Sequence, residues 1–371
     1  MALSRILLIL GAIFSIAMTN FALAEPGFFP VDEAPAPVKK AADSIFEIYF
    51  LNVASKKTFH LFTELGDLRA KIEAAHVRPQ IKKIFEFQIQ YCLINKIWDD
   101  CDIYFDTAQA TGFLVGDRQT LWTNHHAVED FIESLAQVSH HSKWVTNFSI
   151  ERQNLPLFVF DQKGNLVFSA TKARGRATLT VQPFAADPKL TFFPDSHNQS
   201  SDFISIKLSS PIGQPIQVAK ADAKVGDSVF MLGYPIGTGK FIEENVDAKH
   251  AAELVSRAPA PDSDGQGLKL MKGRLIPIED LVQVEKYRDT VWWQARSSMR
   301  VFERELNYFQ LIASDCDTVF GASGSAMVNL DGELIGMNAG GETIAENGKV
   351  VRVVQRGIRL PEVLRKLEEK R

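Results

Sequence analysis

The chain has 371 residues, 46% of them hydrophobic and 23% charged, a balance that supports a buried core and excludes collagen-like, mucin-like and wholly disordered chains. Its formal net charge of −4, from 41 Lys and Arg against 45 Asp and Glu, leaves no basic surplus to neutralise phosphates, so nucleic acid is not an expected partner. Three cysteines are too few for a disulfide scaffold and too scattered for a tetrahedral zinc site.

Arg5 precedes an uncharged apolar run over residues 6–18, and the small residues Ala22 and Ala24 flank Leu23. A basic start, a short apolar centre and a small-x-small ending predict a signal peptide over residues 1–24, cleaved after Ala24. The run is shorter than the ~20 residues that span a bilayer core. The mature chain is therefore expected to be secreted or periplasmic, with no membrane anchor after cleavage. Export places the cysteines in an oxidising compartment, where Cys92 and Cys101 can close a short loop. Pairing of Cys316 with either of them, or three buried thiols, are the alternatives.

Residues 25–40, EPGFFPVDEAPAPVKK, are rich in proline without periodicity and predict an extended, mobile N-terminal tail. SIFEIYFLNV, residues 44–53, has the composition of a strand. Residues 55–100 carry apolar side chains at helical spacing, in FTELGDLRAKIEAA and PQIKKIFEFQIQYCL, and predict a helical insertion or hairpin bounded by Pro79. Beyond Asp102 the pattern is mainly β: short apolar runs such as LPLFVF, NLVFSA, RATLTV, FISIKL and SVFMLGY alternate with Gly, Asn and Asp turns. Two interruptions are expected, a helical one over residues 129–148 and a long polar and mixed one over 241–309. Residues 360–371 predict a closing helix. Many short strands with turn signals indicate an all-β sandwich or barrel with helical insertions.

The segment TVFGASGSAMVNLDGELIGMNAGG sets Ser323 between Gly321-Ala322 and Gly324-Ser325. A nucleophilic serine needs bare backbone around it, so that a carbonyl can approach and amides can converge on the developing oxyanion. Small residues also make ordinary turns, so the serine needs partners. TGFLVGDRQTLWTNHHAVED delivers His125 and His126, and histidine exchanges protons near neutral pH. The tandem pair also has metal-ligand and plain surface readings, the former with His140 and His141, although no HExxH frame supports it. In SSDFISIKLSSP, Asp202 opens an apolar strand, where a part-buried carboxylate needs a partner such as a histidine ring N–H, an exposed strand-start acid being the alternative. No histidine follows Ser323, which excludes the Ser, acid, His order of α/β-hydrolases; the order His126, Asp202, Ser323 is that of chymotrypsin.

On these residues the chain resembles trypsin-like (chymotrypsin-fold) serine peptidases, and among them bacterial glutamyl-endopeptidase-like and high-temperature-requirement-type catalytic domains. TGFLV with LWTNHHAV, SDFISIKL, VGDSVFMLGYPIG and DCDTVFGASGSAMVNLDGELIGMNAGG are similar to four of their blocks, in the same order. The resemblance implies a peptidase domain over residues 41–371, built as two antiparallel six-stranded β-barrels, about 41–210 and 211–360, with the site in the cleft between them. It implies that His126 rather than His125 is the base, that Asp202 orients it, that Ser323 is the nucleophile and that the Gly321 and Ser323 amides hold the oxyanion. Asp317, Thr318, Asn338 and Gly340 would then line the substrate pocket. The implied activity is that of an exported serine endopeptidase acting on proteins or peptides through an acyl-enzyme, with no metal and no cofactor. A catalytically inactive binding protein of the same fold and a small-ester hydrolase on the same triad are the alternatives. Ala322 stands where trypsin-type zymogens use an Asp to capture a new N-terminus, so that activation switch is not expected.

Overall fold

The computed structural model describes residues 28–51, 56–74, 78–99, 101–104, 107–124, 127, 149–153, 157–169, 176–181, 204–235, 267–277, 311–316, 322–346, 349–361 and 364. In chain order these form β1 (Phe28–Pro30), a 3-10 turn, helix α1 (Ala36–Ala42), β2 (Ile45–Leu51), β3 (Lys56–Phe59), α2 (Leu61–Ala74), α3 (Pro79–Ile94), β4 (Cys101–Tyr104), β5 (Thr107–Leu114) and β6 (Thr120–Thr123). There follow β7 (Ser149–Gln153), β8 (Leu157–Phe160), β9 (Leu166–Ser169), β10 (Arg176–Val181), β11 (Ile204–Leu208), β12 (Ser228–Gly233) and β13 (Lys269–Arg274). The last strands are β14 (Leu311–Ser314), β15 (Ala326–Val328), β16 (Leu334–Glu346) and β17 (Lys349–Ile358).

The strands make an eight-stranded sheet in the order β7-β10-β11-β6-β5-β2-β8-β9 and a seven-stranded sheet in the order β1-β13-β12-β15-β16-β17-β14, with β3 and β4 paired separately. Every ladder between these strands is antiparallel. Among the described residues the sheets thus hold eight and seven strands, against the six and six expected. The seven-stranded sheet curls until its far ends meet: Leu275, next to β13, bridges Ser314 of β14, and Ile276 N–H donates to the Ala313 carbonyl at 3.0 Å. The extra strand on that side is β1, appended outside β13.

That strand corrects the expectation of a free N-terminal tail. From Phe28 onward the segment is built into the fold. Phe28 pairs with Met271 and Pro30 with Lys269, Pro30 being tolerated because β1 is an edge. Lys272 lies 4.1 Å from the Phe29 ring centroid. Pro35 and Pro37 mark the start of α1, where a fixed φ favours the first turn and a missing N–H is not needed. Val38, Ala41 and Ala42 of α1 are buried. The Asp331-Gly332 turn between β15 and β16 abuts this helix so closely that a Cβ on Gly332 would stand 2.3 Å from the Pro37 carbonyl oxygen.

A second correction concerns the insertion expected over residues 241–309. Its residues 269–274 are β13, which lies between β1 and β12 inside the seven-stranded sheet. Neighbouring Leu270 and Met271 are both buried, in two different clusters on opposite faces of the strand. Lysines on either side and a lack of β-branched residues hide this strand from periodicity. The interruption expected over 129–148 and most of the closing helix lie outside the described residues; Leu360 is buried and Leu364 packs against the same cluster.

One core joins the two sheets: Ile45, Phe113 and Trp122 of the first meet Leu232, Ala326 and Met337 of the second. A separate cluster covers one face of the eight-stranded sheet, with Phe46, Ile48 and Phe50 of β2 and Leu157 and Val159 of β8. The alternate residues of these two strands point the other way and are also buried, because the hairpin of α2 and α3 covers them. Tyr49, Phe158 and Phe160 meet Leu68, Ile72, Ile81, Phe85 and Ile89 there. Pro79 is at the first turn of α3 and so opens that helix, while β3 and β4 pair at the hairpin's base. Cys92 and Cys101 are disulfide-bonded, with Cα atoms 5.8 Å apart; Cys316 is a buried thiol outside that disulfide.

Beneath the hairpin a carboxylate is wholly buried. Glu47 accepts hydrogen bonds from Tyr49 Oη at 2.8 Å, Gln109 Nε2 at 2.5 Å and the Arg78 guanidinium. Arg78 in turn lies 5.5 Å from the Phe160 ring centroid. Burial pushes the Glu47 carboxyl up from its ordinary value, against the pull of Arg78. The same burial, with Glu47 beside it, pushes the Tyr49 phenol up. A buried charge is tolerated only when paired and hydrogen-bonded, so Arg78 fastens the turn before α3 to the sheet.

Candidate active site

Thr111 of β5 is the junction from which the site is built. It is buried and uses three polar atoms. Its N–H donates to the Ser323 carbonyl at 3.0 Å. Its carbonyl accepts from Thr123 Oγ1 at 2.7 Å. Its Oγ1 accepts from the Tyr234 N–H at 2.9 Å, just beyond β12. The eight-stranded sheet, the seven-stranded sheet and the serine loop therefore share one residue.

The loop is held from the other side by Asn338 of β16. Gly324 N–H donates to the Asn338 carbonyl at 3.1 Å, and Asn338 N–H to the Ser325 carbonyl at 2.9 Å. The Asn338 side-chain amide donates to the Ala322 carbonyl at 3.0 Å, and Ser325 N–H reaches the same carbonyl at 3.0 Å. Ala322, Gly324 and Ser325 are buried whereas Ser323 between them is only half-buried. A tight turn clamped to both sheets thus turns one hydroxyl-bearing residue toward solvent. Gly324 makes the turn possible. Its φ is +80°, and a Cβ there would lie 2.1 Å from the Thr111 carbonyl oxygen and 2.6 Å from Thr123 Oγ1.

Strand register brings two further chain ends to this point. Thr123, last residue of β6, is paired with Ile204, first residue of β11. The chain runs from Thr123 through buried Asn124 toward His125 and His126, and Asp202 stands two residues before Ile204. His126, Asp202, Gly321, Asp317 and Thr318 themselves lie outside the described residues, as do His140 and His141. Of the expected site residues, Ser323, Asn338 and Gly340 are described. Asn338 was expected on the pocket wall; it is buried and its side chain holds the serine loop, with Oδ1 accepting from Gly340 N–H at 3.4 Å. Thr111 and Thr123 were not singled out from the sequence, although each is a polar residue within an apolar strand, in ATGFLV and LWTN. Among the described residues no three His, Cys, Asp or Glu side chains gather as metal ligands, and no helix is long and apolar enough to cross a membrane.

The model of the trypsin-like peptidase domain matches residues 110–337, more than half of the chain, from the junction strand β5 through the serine loop into β16. The chain belongs to the trypsin-like peptidase family. Among curated proteins nothing matches it. Among solved structures, a serine endoprotease from Yersinia pestis is 12% identical over 90% of this chain and 64% of its own, with a TM-score of 0.41. The Rv3671c protease from M. tuberculosis in its active form is 14% identical over 94% of this chain and 88% of its own, with a TM-score of 0.40. The chain spans just under two thirds of the length of the Yersinia endoprotease. The mostly β architecture with one curled sheet accords with the chymotrypsin-like fold of this peptidase family.

Proposed function

We propose that this trypsin-like peptidase is an exported serine endopeptidase in which Ser323 attacks the scissile carbonyl. In this proposal His126 takes the Ser323 proton and returns it to the leaving amine, and Asp202 fixes the imidazole tautomer and stabilises the imidazolium. The Gly321 and Ser323 amides receive the oxyanion, a contribution typically worth ~3–4 kcal/mol of barrier per donor. An acyl-enzyme on Ser323 Oγ then reacts with water. Asp317, Thr318 and Gly340 would contact substrate, while Asn338 acts by positioning the loop. Export rests on the signal-like residues 1–24.

The observation that carries the proposal is the convergence at Thr111: one residue bonds the Ser323 carbonyl and the Thr123 hydroxyl, while Thr123 is paired with Ile204. The strand leading to His126 and the strand that follows Asp202 are thereby neighbours within reach of the serine turn. The test is reaction of the mature protein with a fluorescent fluorophosphonate, beside Ser323→Ala and His126→Ala. Labelling of wild type with loss in both variants is expected, as is cleavage within a mixture of protein substrates. Equal labelling of wild type and Ser323→Ala would remove Ser323 as nucleophile. Folded wild type that neither labels nor cleaves would leave a binding protein of this fold.

A further inference from the structure

Helix α3 has two apolar faces. Ile81, Phe85, Ile89 and Cys92 are buried against the hairpin core. On the opposite side Phe87, Tyr91 and Ile94 stand 70%, 57% and 76% exposed, and Trp98, just past the helix, is 43% exposed. Together with part-buried Ile84 they recur at spacings of three and four, the seam by which one helix packs along another. Phe62, 81% exposed, stands in the first turn of α2 in the same hairpin. Five of the eight large hydrophobic side chains exposed among the described residues belong to this one hairpin, whereas scattered single exposures are the norm on a protein surface.

Area and charge identify the occupant. At these exposures Phe87, Tyr91, Ile94 and Trp98 leave on the order of 500 Å² of mainly apolar surface in water, more than half of the ~800 Å² that each partner contributes to a standard interface. The flanks of the seam are Lys83, Gln88, Gln90 and Asn95. Nearby Lys82 and Glu86 are engaged within the hairpin, with Glu73 and Arg69, so little charge must be stripped of water along the seam. The two ends differ in sign: Lys83 stands in the first turns, and after the last Lys96 is outnumbered by Asp99, Asp100 and Asp102. A second α3 running antiparallel sets each basic end beside the other's acidic end, whereas a parallel pair sets like on like. The acidic end also opposes an anionic bilayer.

We propose that the outer face of α3 is the interface of a two-fold homodimer, its helices antiparallel and crossing near Gln90. The arrangement is self-complementary, as two-fold contacts require. It does not depend on the catalytic proposal. Sedimentation velocity of the mature protein at tens of micromolar should give twice the chain mass. Tyr91→Glu and Ile94→Glu should each give the monomer mass with native circular dichroism, since both side chains are exposed in the monomer, and an unfolding midpoint that, unlike that of wild type, does not rise with protein concentration. Gln90→Cys should form an intermolecular disulfide on mild oxidation. Wild type monomeric at that concentration, a dimer that survives both Glu variants, or a monomer that instead sediments with phosphatidylcholine–phosphatidylglycerol vesicles would each overturn the proposal.

Discussion

Gly324→Ala tests whether Thr111 and Asn338 set the position of the serine. At φ +80° an L-residue costs about 1–2 kcal/mol in the left-handed region. The added methyl would also stand 2.1 Å from the Thr111 carbonyl oxygen, against a favourable separation of about 3.5 Å. That carbonyl belongs to a strand laddered on both sides, by β2 and β6, so the serine turn must withdraw instead, by about 1 Å. Withdrawal breaks the 3.0 Å bond from Thr111 N–H to the Ser323 carbonyl, worth about 1 kcal/mol. The total loss is about 2–3 kcal/mol of stability. If Ser323 is the nucleophile as proposed, its displacement by about 1 Å costs on the order of 100-fold in reactivity. Gly116→Ala is the control: its φ is +75° with nothing within 4 Å of the added methyl, so it carries the backbone penalty alone. Urea denaturation followed by tryptophan fluorescence gives the first quantity, and the fluorophosphonate labelling rate of folded protein gives the second. Gly116→Ala should lose about 1–2 kcal/mol and label at the wild-type rate. Gly324→Ala labelling within about threefold of wild type, against the expected ~100-fold loss, would refute the reasoning.

Arg78→Ala strands the buried Glu47 carboxylate and should destabilise by about 3–5 kcal/mol; adding Glu47→Gln should recover much of that loss, read as coupling in a urea double-mutant cycle. Cys92→Ser with Cys101→Ser opens a loop of sequence separation 9 and should cost about 2–3 kcal/mol. Its fluorophosphonate labelling should remain that of wild type, because both cysteines belong to the hairpin's own core and not to the cluster that joins the two sheets. Asp117 accepts from the backbone of Gln119 and Thr120 and pairs with Lys207. Slight desolvation raises its pKa, but these partners outweigh it and hold the carboxyl down to about 2 from 3.8. A depressed carboxylate contributes stability that is present above its unfolded value and is lost as pH falls through its folded value. Asp117→Asn should therefore flatten the acid limb of stability between those two values, by less than about 1 kcal/mol because the pair is half exposed. A limb unchanged in circular dichroism would remove Asp117 from that dependence.

The strand pattern was legible where one face meets a core and turns carry Gly, Asn or Asp, as in LPLFVFDQKGNLVFSA, which forms β8, its turn and β9. The tight turn around Ser323 was legible because small residues cluster there, and the structure places Gly324 at a positive φ that such a turn requires. What escaped the sequence depends on contacts made across the fold. β1 acquires its ladder from β13, and β13 acquires its apolar surroundings from two clusters, so neither carries a periodic signal of its own. Glu47 and Arg78 look like surface residues until the hairpin folds over them. Asn338 sits in a Gly-rich stretch that suggests a pocket, yet its amide serves the carbonyl of Ala322. In each case the residue type is ordinary and the partner is distant in sequence.

The pairing of β1 with β13 has a consequence for assembly. The first strand of the domain waits unpaired until most of the chain has followed it, and long-range antiparallel pairing is a slow step because loop closure precedes any return from contact. The second sheet is therefore finished late, and Asn338 ties the serine turn to that sheet. A chain that stops before β16 lacks Asn338, so the clamp on the serine turn forms only once the later strands of that sheet are in place.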